Sequence, residues 1–266
     1  MITSLAEYLS ALKGLESNWK LDNQKKPYHE RENLWFRGQH DAGWPLTPKL
    51  YRKKFYSADE NEIRQEFQSR AIQMIQGRAP VDKWEWYFLM QHYGAPTRLL
   101  DWTDNPLIAL YFALADNPGG SDAAVWALNP WWLNKQMKKG VKGVILPDWS
   151  EAQSYLRDLE DAFETGAVGG EWPEHITARV PAAIDPPHVD RRVAAQSSRF
   201  VIFGKTHDLM KTKAARSRSR QVEKIKIPLK AIPAIQEEMY FCGITHSLVF
   251  PDLEGLCRDL CRKCSG

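Results

Sequence analysis

Between two apolar segments, Trp84–His92 and Leu107–Ala115, the chain runs through Gln91-His92-Tyr93-Gly94-Ala95-Pro96-Thr97-Arg98-Leu99-Leu100-Asp101-Trp102-Thr103. This change of character constrains the fold more than any other feature. A loop this polar cannot be buried without partners for its backbone and side chains, so the flanking segments must hold it at a surface or a cleft. The first segment reads as a helix stopped by Gly94 and Pro96. The second begins after Asn105-Pro106, where proline suits the first helical turn. Asp101 is placed to cap that second helix and Arg98 to pair with it, which is a scaffold reading of the loop. The density of polar groups is equally the mark of a site carried on a rigid frame.

A second polar feature is Leu34-Trp35-Phe36-Arg37-Gly38-Gln39. An arginine directly after a short apolar strand is costly to bury unless an anion pairs with it. Its planar fork suits phosphate or carboxylate, and Gly38 lets a ligand or another backbone come close. The alternative partner is a buried carboxylate of the protein itself.

Elsewhere helices and strands mix without strict alternation, which points to an α+β fold. Ser4 and Glu7 make a capping box for a helix to about Ser17. Asp59–Gln76 has the helical period, with Ile63, Phe67, Ile72 and Ile75 inward. Ala123–Leu128, Phe200–Phe203 and Val222–Ile227 read as strands, and Leu248-Val249-Phe250 as a last short one. Helices are expected over Ser150–Phe163, Ala231–Cys242 and Leu253–Cys264. The whole chain, 1–266, reads as one compact domain with a split mixed sheet around a cleft, flanked by helices. Residues 131–176 are an insertion within it, since no linker-like stretch flanks them. Lys211–Arg220 reads as a mobile basic loop with no apolar face to bury. In Arg191–Phe200 an ordinary loop entering a strand is weighed evenly against a site.

Composition narrows the function. A 43% hydrophobic and 26% charged chain is globular, and a net charge of +3 permits an anionic ligand without the basic stripe of a dedicated nucleic-acid binder. The longest apolar run, Leu107–Ala115, is too short for a bilayer, and the first residues carry Glu7 and Lys13, so a cytoplasmic protein without a membrane partner is expected. Cys242, Cys257, Cys261 and Cys264 lack paired metal spacing, and no metal is expected. Cys257 and Cys261 would share a helix face as small hydrophobes. Asp252 and Glu254 sit where carboxylates offset a helix dipole. No nucleophile elbow, phosphate-cradling loop or dinucleotide fingerprint is present.

Phe36-Arg37-Gly38, QHYGAPTRLLDWTDNPLIALYFA at Gln91–Ala113, PPHVDRRVAAQSSRFVIF and GITHSLVFPDLEGL at Gly243–Leu256 together resemble the FRG domain family, named for that first motif. The motif order of the family is similar to that of ADP-ribosyltransferase folds. The resemblance implies an enzyme that takes NAD as substrate, cleaves its nicotinamide glycosidic bond and passes ADP-ribose to a protein or nucleic-acid acceptor. Arg37, with Gly38 and Gln39 beside it, would hold the pyrophosphate. Thr103, followed by Ala109 and Phe112, matches the second element, and His92 and Thr103 would contact the ribose or nicotinamide. Arg98 joins the binding set, and Trp102 or Tyr111 would stack on a ring. Where such enzymes place a glutamate this chain has Gln196, and the later carboxylates Glu223 and Glu254 are not clearly equivalent to it. Arg37, Thr103, Gln196 and Glu254 form the implied catalytic set. Two rivals stand beside this reading. One is a non-catalytic nucleotide- or nucleic-acid-binding module. The other is a hydrolase or nuclease using Asp101 and His92.

Overall fold

A computed structural model describes residues 2–21, 23, 25–27, 31–52, 60–75, 78–115, 120–136, 141, 143–156, 180–186, 195–204 and 206–265. Its strands are β1 (Trp35–Gln39), β2 (Leu99–Thr103), β3 (Ala123–Leu128), β4 (Ala182–Ile184), β5 (Ser198–Ile202) and β6 (Val222–Ile227). They form one sheet in the order β4-β5-β2-β1-β3-β6. All five strand pairings are antiparallel, so the parallel part of the expected mixed sheet is confined to the isolated bridge between Ile145 and Ile184. The helices are α1 (Leu5–Asn18), α2 (Glu60–Ala71), α3 (Lys83–His92), α4 (Pro106–Leu114), α5 (Pro130–Lys135), α6 (Ile232–Phe241), α7 (His246–Val249) and α8 (Leu253–Ser265). The fold is α+β. No helix among the described residues is long and apolar enough to cross a membrane.

Three apolar clusters hold the layers together. On one face, Leu5, Tyr8 and Leu12 of α1, the apolar side of α4 and Ile232, Ile235 and Met239 of α6 pack over Phe36, Val125 and Ala127. Beside them, Trp84, Tyr87 and Phe88 of α3 pack with Tyr155 over Leu99, Phe200 and Ile202. The opposite face buries Trp35, Leu100, Trp102 and Trp126 under Leu46, Trp132 and Leu209. The period-2 alternation of strand side chains delivers these sets to opposite faces.

The sheet is continuous except at its centre. β1 pairs with β3 along its whole length, from Trp35 opposite Leu128 to Gln39 opposite Ala124. It pairs with β2 only at Phe36 and Thr103. Beyond that pair the two strands part and leave a wedge. Gly38 faces α4 there. A Cβ on it would lie 2.1 Å from the Ala109 carbonyl oxygen and 2.5 Å from the Ala113 nitrogen. The glycine therefore serves the close approach of a helix backbone.

Local chemistry explains where several expectations shift. Ser4 caps α1 by accepting from the Glu7 N–H, but the Glu7 carboxylate turns to the Thr3 N–H and hydroxyl rather than closing a capping box. The expected strand at Leu248–Phe250 is the short helix α7, because Thr245 accepts from the Leu248 N–H as an N-cap. Ile72 is exposed beyond the end of α2, while Ile63 and Phe67 are partly buried; residues 59 and 76 of that expected helix lie outside the described residues. Of the expected helix 150–163, residues 150–156 are helical and the rest lies outside the described residues, as does most of 131–176 beyond residue 156. The basic stretch Lys211–Arg220 does bury apolar surface. Ala215 is 1% exposed within the third cluster, held by the Thr212 hydroxyl, which accepts from the Ala215 N–H and donates to the Leu209 carbonyl.

Candidate functional site

The wedge between β1 and β2 opens into a cavity of about 350 Å³. That is the lower part of the range for small-molecule sites. Arg37, Gly38, Gln39, His92, Trp102, Thr103 and Gln196, all singled out in the sequence, line it. So do His40, Trp44, Arg52 and Phe200, together with Gln91 of the polar loop and Asp101, which the sequence offers both as a helix cap and as a catalytic group of the hydrolase rival.

Arg37 bridges the two walls. Its Nη1 donates to the Asp101 carbonyl oxygen at 2.6 Å and lies 3.7 Å from the Asp101 carboxylate. Its side chain is 16% exposed. Burial pushes the Arg37 pKa below the ordinary arginine range, Asp101 opposes that shift and Arg52 adds to it. The group nevertheless stays a cation. Arg52 is a second, exposed cation of the cleft, at the end of the single helical turn Lys49–Tyr51. That turn is tied to the polar loop, since the Leu50 N–H donates to the Thr97 carbonyl and the Lys49 ammonium to the Gly94 carbonyl.

Three buried donors or acceptors of the lining, Arg37 Nε, His40 Nδ1 and Trp102 Nε1, meet no hydrogen-bond partner among the described residues. Buried polar atoms are nearly always paired, and an orphan calls for an explanation such as a ligand or ion. All three belong to residues that line the cavity.

Asp101 is the sole carboxylate among the lining residues. It stands on β2 with a side chain 56% exposed, and the Gln91 amide donates to both its oxygens at 2.9 Å. Gln91 is fixed in turn by the hydroxyl of Thr97, a fully buried residue, which donates to the Gln91 amide oxygen. Asp101 therefore does not cap α4. Asn105 does, accepting from the Leu107 and Ile108 N–H groups. The cap passes to Asn105 because it immediately precedes the helix, whereas Asp101 is still within the strand.

Thr103 and Gln39 line the cleft with their polar atoms engaged in the scaffold. The Thr103 hydroxyl donates to the Gln196 carbonyl at 2.7 Å and accepts from the Asn105 N–H at 3.0 Å. Gln39 accepts from the Trp126 indole and donates to the Pro45 carbonyl. Thr103 thus pins the entry of β5 beside the end of β2. Ser197, the residue between Gln196 and Ser198, holds a positive φ of 46°, a conformation that costs a non-glycine residue roughly 1 kcal/mol. The Gln196 side chain donates to the Val249 carbonyl.

Three expected site residues lie elsewhere. Arg98 is fully buried, with Nε 2.7 Å from the Glu60 carboxylate and Nη2 donating to the Tyr155 carbonyl. Burial works against its charge, but Glu60, Tyr87 and Tyr51 outweigh that and hold its pKa above the ordinary value. Tyr111 points from α4 into the first apolar cluster and hydrogen-bonds His246. Glu254 is exposed at the start of α8 and pairs with Arg258. Helical period alone separates Tyr111 from Phe112, which does line the cleft. No spacing rule reveals that Arg98 meets a carboxylate 38 residues away in sequence.

Of the expected Arg191–Phe200 motif, residues 191–194 lie outside the described residues. Among the described residues no group of three or more His, Cys, Asp or Glu is placed to hold a metal ion. None of the four cysteines is in a disulfide among the described residues, and all four are exposed.

No curated protein and no solved structure matches the chain. The FRG domain family matches residues 32–121. That span runs from just before β1 to just before β3 and contains both walls of the wedge, Arg37 on one side and Gln91–Thr103 on the other, but not Gln196, Ser198 or Phe200. The phenylalanine-arginine-glycine motif on the central strand, with its glycine against α4, lies within the residues 32–121 that match the FRG domain.

Proposed function

We propose that the wedge binds NAD as a substrate and acts on its nicotinamide–ribose bond, as an ADP-ribosyltransferase-like enzyme with a protein or nucleic-acid acceptor. The observation that carries this reading is the set of unpartnered buried nitrogens, Arg37 Nε, His40 Nδ1 and Trp102 Nε1, around one cavity with a second cation at Arg52. Such a set favours a ligand rich in anionic oxygens, and a guanidinium fork suits a phosphate group. Aromatic side chains, Trp44, Phe112 and Phe200 among them, supply apolar wall for a flat ring. NAD combines a pyrophosphate with a cationic nicotinamide, which matches two arginines and one carboxylate in a single cleft.

Breaking the nicotinamide–ribose bond builds positive charge on the ribose, and a fixed carboxylate in a cleft favours that charge. Asp101, oriented by Gln91 and Thr97, is the group that supports this role, in place of Glu254. Thr103 positions rather than reacts, because its hydroxyl is already paired on both sides. The use of Thr103 in the scaffold, and the position of Glu254 outside the cleft, favour a second reading, a nucleotide-binding module without catalysis. A hydrolase or nuclease using Asp101 and His92 has less support, since one carboxylate is a small set for that chemistry.

Calorimetry with NAD, ADP-ribose and ATP, alongside chromatography for free nicotinamide, tests these readings. NAD binding with nicotinamide release supports the enzyme. Binding without release, across added protein and nucleic-acid acceptors, transfers the assignment to the module. Binding of none of the three ligands rules out both.

A further inference from the structure

Helix α8 is inverted with respect to the protein it rests on. Its buried residues are Gly255 and Asp259. A Cβ on Gly255 would meet the Phe250 carbonyl oxygen at 2.1 Å. Asp259 accepts from the His246 and Ser247 N–H groups and the Ser247 hydroxyl, capping α7. On the opposite side, Leu253, Leu256, Cys257, Leu260, Cys261 and Cys264 recur at the spacing of one helical face, and all are exposed. Leu253 is 80% exposed. The polar face of an amphipathic helix thus seats on the protein and the apolar face meets solvent, the reverse of the ordinary arrangement. Nearby on α7, Leu248 is 47% exposed, and Phe241, at the end of the helix that Arg262 touches through Glu237 and Tyr240, is 93% exposed. An exposed apolar stripe of this kind marks an interaction site.

We propose that this face is the interface with a second copy of the chain, packed antiparallel along α8. The charge order of the helix selects that partner. Its first turn carries Asp252 and Glu254 at and beside the start, and its last turn carries Arg262 and Lys263. An antiparallel pair brings the acidic end of each helix level with the basic end of the other and sets Asp252 beside Lys263 of the second copy, on the same flank of the stripe, while Glu254 pairs with Arg258 and Arg262 with Glu237 of their own chain. The antiparallel order also opposes the two helix dipoles. The stripe is self-complementary under the same two-fold operation, with Leu253 level with Cys264 and Cys257 level with Leu260, as an isologous contact requires. A membrane surface fits less well. The flanks carry both signs of charge, and the stripe holds cysteine where interfacial helices use tryptophan or phenylalanine. The helix is about 20 Å long at 1.5 Å per residue.

Light scattering on the full chain under reducing conditions tests the proposal. The expected mass at about 100 µM, where even a weak contact is populated, is twice 30.6 kDa. The Leu256→Glu/Leu260→Glu double variant is expected to run at the monomer mass with unchanged circular dichroism, because neither side chain is in the core. Cys261→Ser should remain a dimer, since the contact needs packing and not a disulfide. A short bismaleimide linker should join Cys257 of one wild-type copy to Cys261 of the other. A monomeric wild type overturns the proposal. So does a dimer that survives the double substitution, or a monomer that sediments with phosphatidylserine vesicles. If the double variant loses its fold, the crosslink decides. Failure to join the two cysteines in wild type then counts against the interface.

Discussion

Arg37 donates across the parting of β1 and β2 to the carbonyl oxygen of Asp101, 2.6 Å away, while the carboxylate of the same aspartate stands at 3.7 Å. One residue of each wall is thus joined through a guanidinium whose Nε remains without a partner among the described residues. Arg37 has two jobs under this arrangement, bridging the wedge and offering its remaining N–H groups to an anion. Arg37→Ala is expected to weaken NAD or ADP-ribose binding roughly 10- to 100-fold, the loss of a charged hydrogen bond worth about 1.5–3 kcal/mol. Arg37→Lys should recover part of that, since an ammonium lacks the fork. Calorimetry on both variants is the check, and unchanged affinity in Arg37→Ala would remove Arg37 from the ligand site.

Asp101 separates binding from chemistry. Its carboxylate is oriented from the Gln91 side and makes no cap, so Asp101→Asn should fold with little change in melting temperature. Nicotinamide release should fall on the order of 10²–10³-fold, the usual effect of losing a fixed electrostatic group at a reacting centre. NAD affinity should change much less. Gln91→Ala should give a milder loss of the same kind, because it frees the carboxylate without removing it. An Asp101→Asn enzyme with wild-type release would return Asp101 to the scaffold.

What the sequence made legible follows from range. Short-range chemistry read directly: Ser4 before α1, Asn105-Pro106 before α4, and the period-2 pattern of β6 each depend on residues a few positions apart. The convergence of Arg37, His92 and Thr103 was legible because polar motifs on short apolar elements tend to share a site. Choices that depend on distant partners were not. Arg98 and Asp101 are three residues apart and both charged, and only the packing of α2 decides that Arg98 meets Glu60 inside while Asp101 faces the cleft. Leu248-Val249-Phe250 has strand propensity, but the cap at Thr245 makes it helical. The apolar stripe of α8 was readable as an amphipathic face, but not that the polar side would be the buried one.

Gly38 gives a prediction independent of any ligand. With the Ala109 carbonyl oxygen 2.1 Å from where a Cβ would stand, Gly38→Ala must push α4 off β1. Main chain cannot yield as a flexible side chain does, so the cost should reach about 2–3 kcal/mol. At roughly 2–4 °C per kcal/mol for a domain of this size, a melting temperature lowered by roughly 5–10 °C is expected. A melting curve superimposable on wild type would mean that α4 does not lie on β1 as described.

The Glu60–Arg98 pair makes the sharpest stability test. Both side chains are almost fully buried, at 4% and 0% exposure. Glu60 accepts from the Arg98 backbone N–H as well as facing its guanidinium, and the Tyr87 hydroxyl donates to it too. The pair fastens the start of α2 beneath the start of β2, the strand that carries Asp101. Removing one partner leaves the other as a buried, uncompensated charge, so Glu60→Leu and Arg98→Met should each lose about 3–5 kcal/mol. Replacing both at once with apolar side chains removes the orphaned charge, and such exchanges are often close to neutral. Glu60→Leu/Arg98→Met should therefore be more stable than either single variant, although the Tyr87 hydroxyl loses its acceptor and the backbone N–H of residue 98 keeps only the Tyr87 oxygen. Urea denaturation of the wild type, the two single variants and the double variant closes the cycle. Additive losses in the double variant would show that the two charges do not stabilise one another and that their burial has another cause.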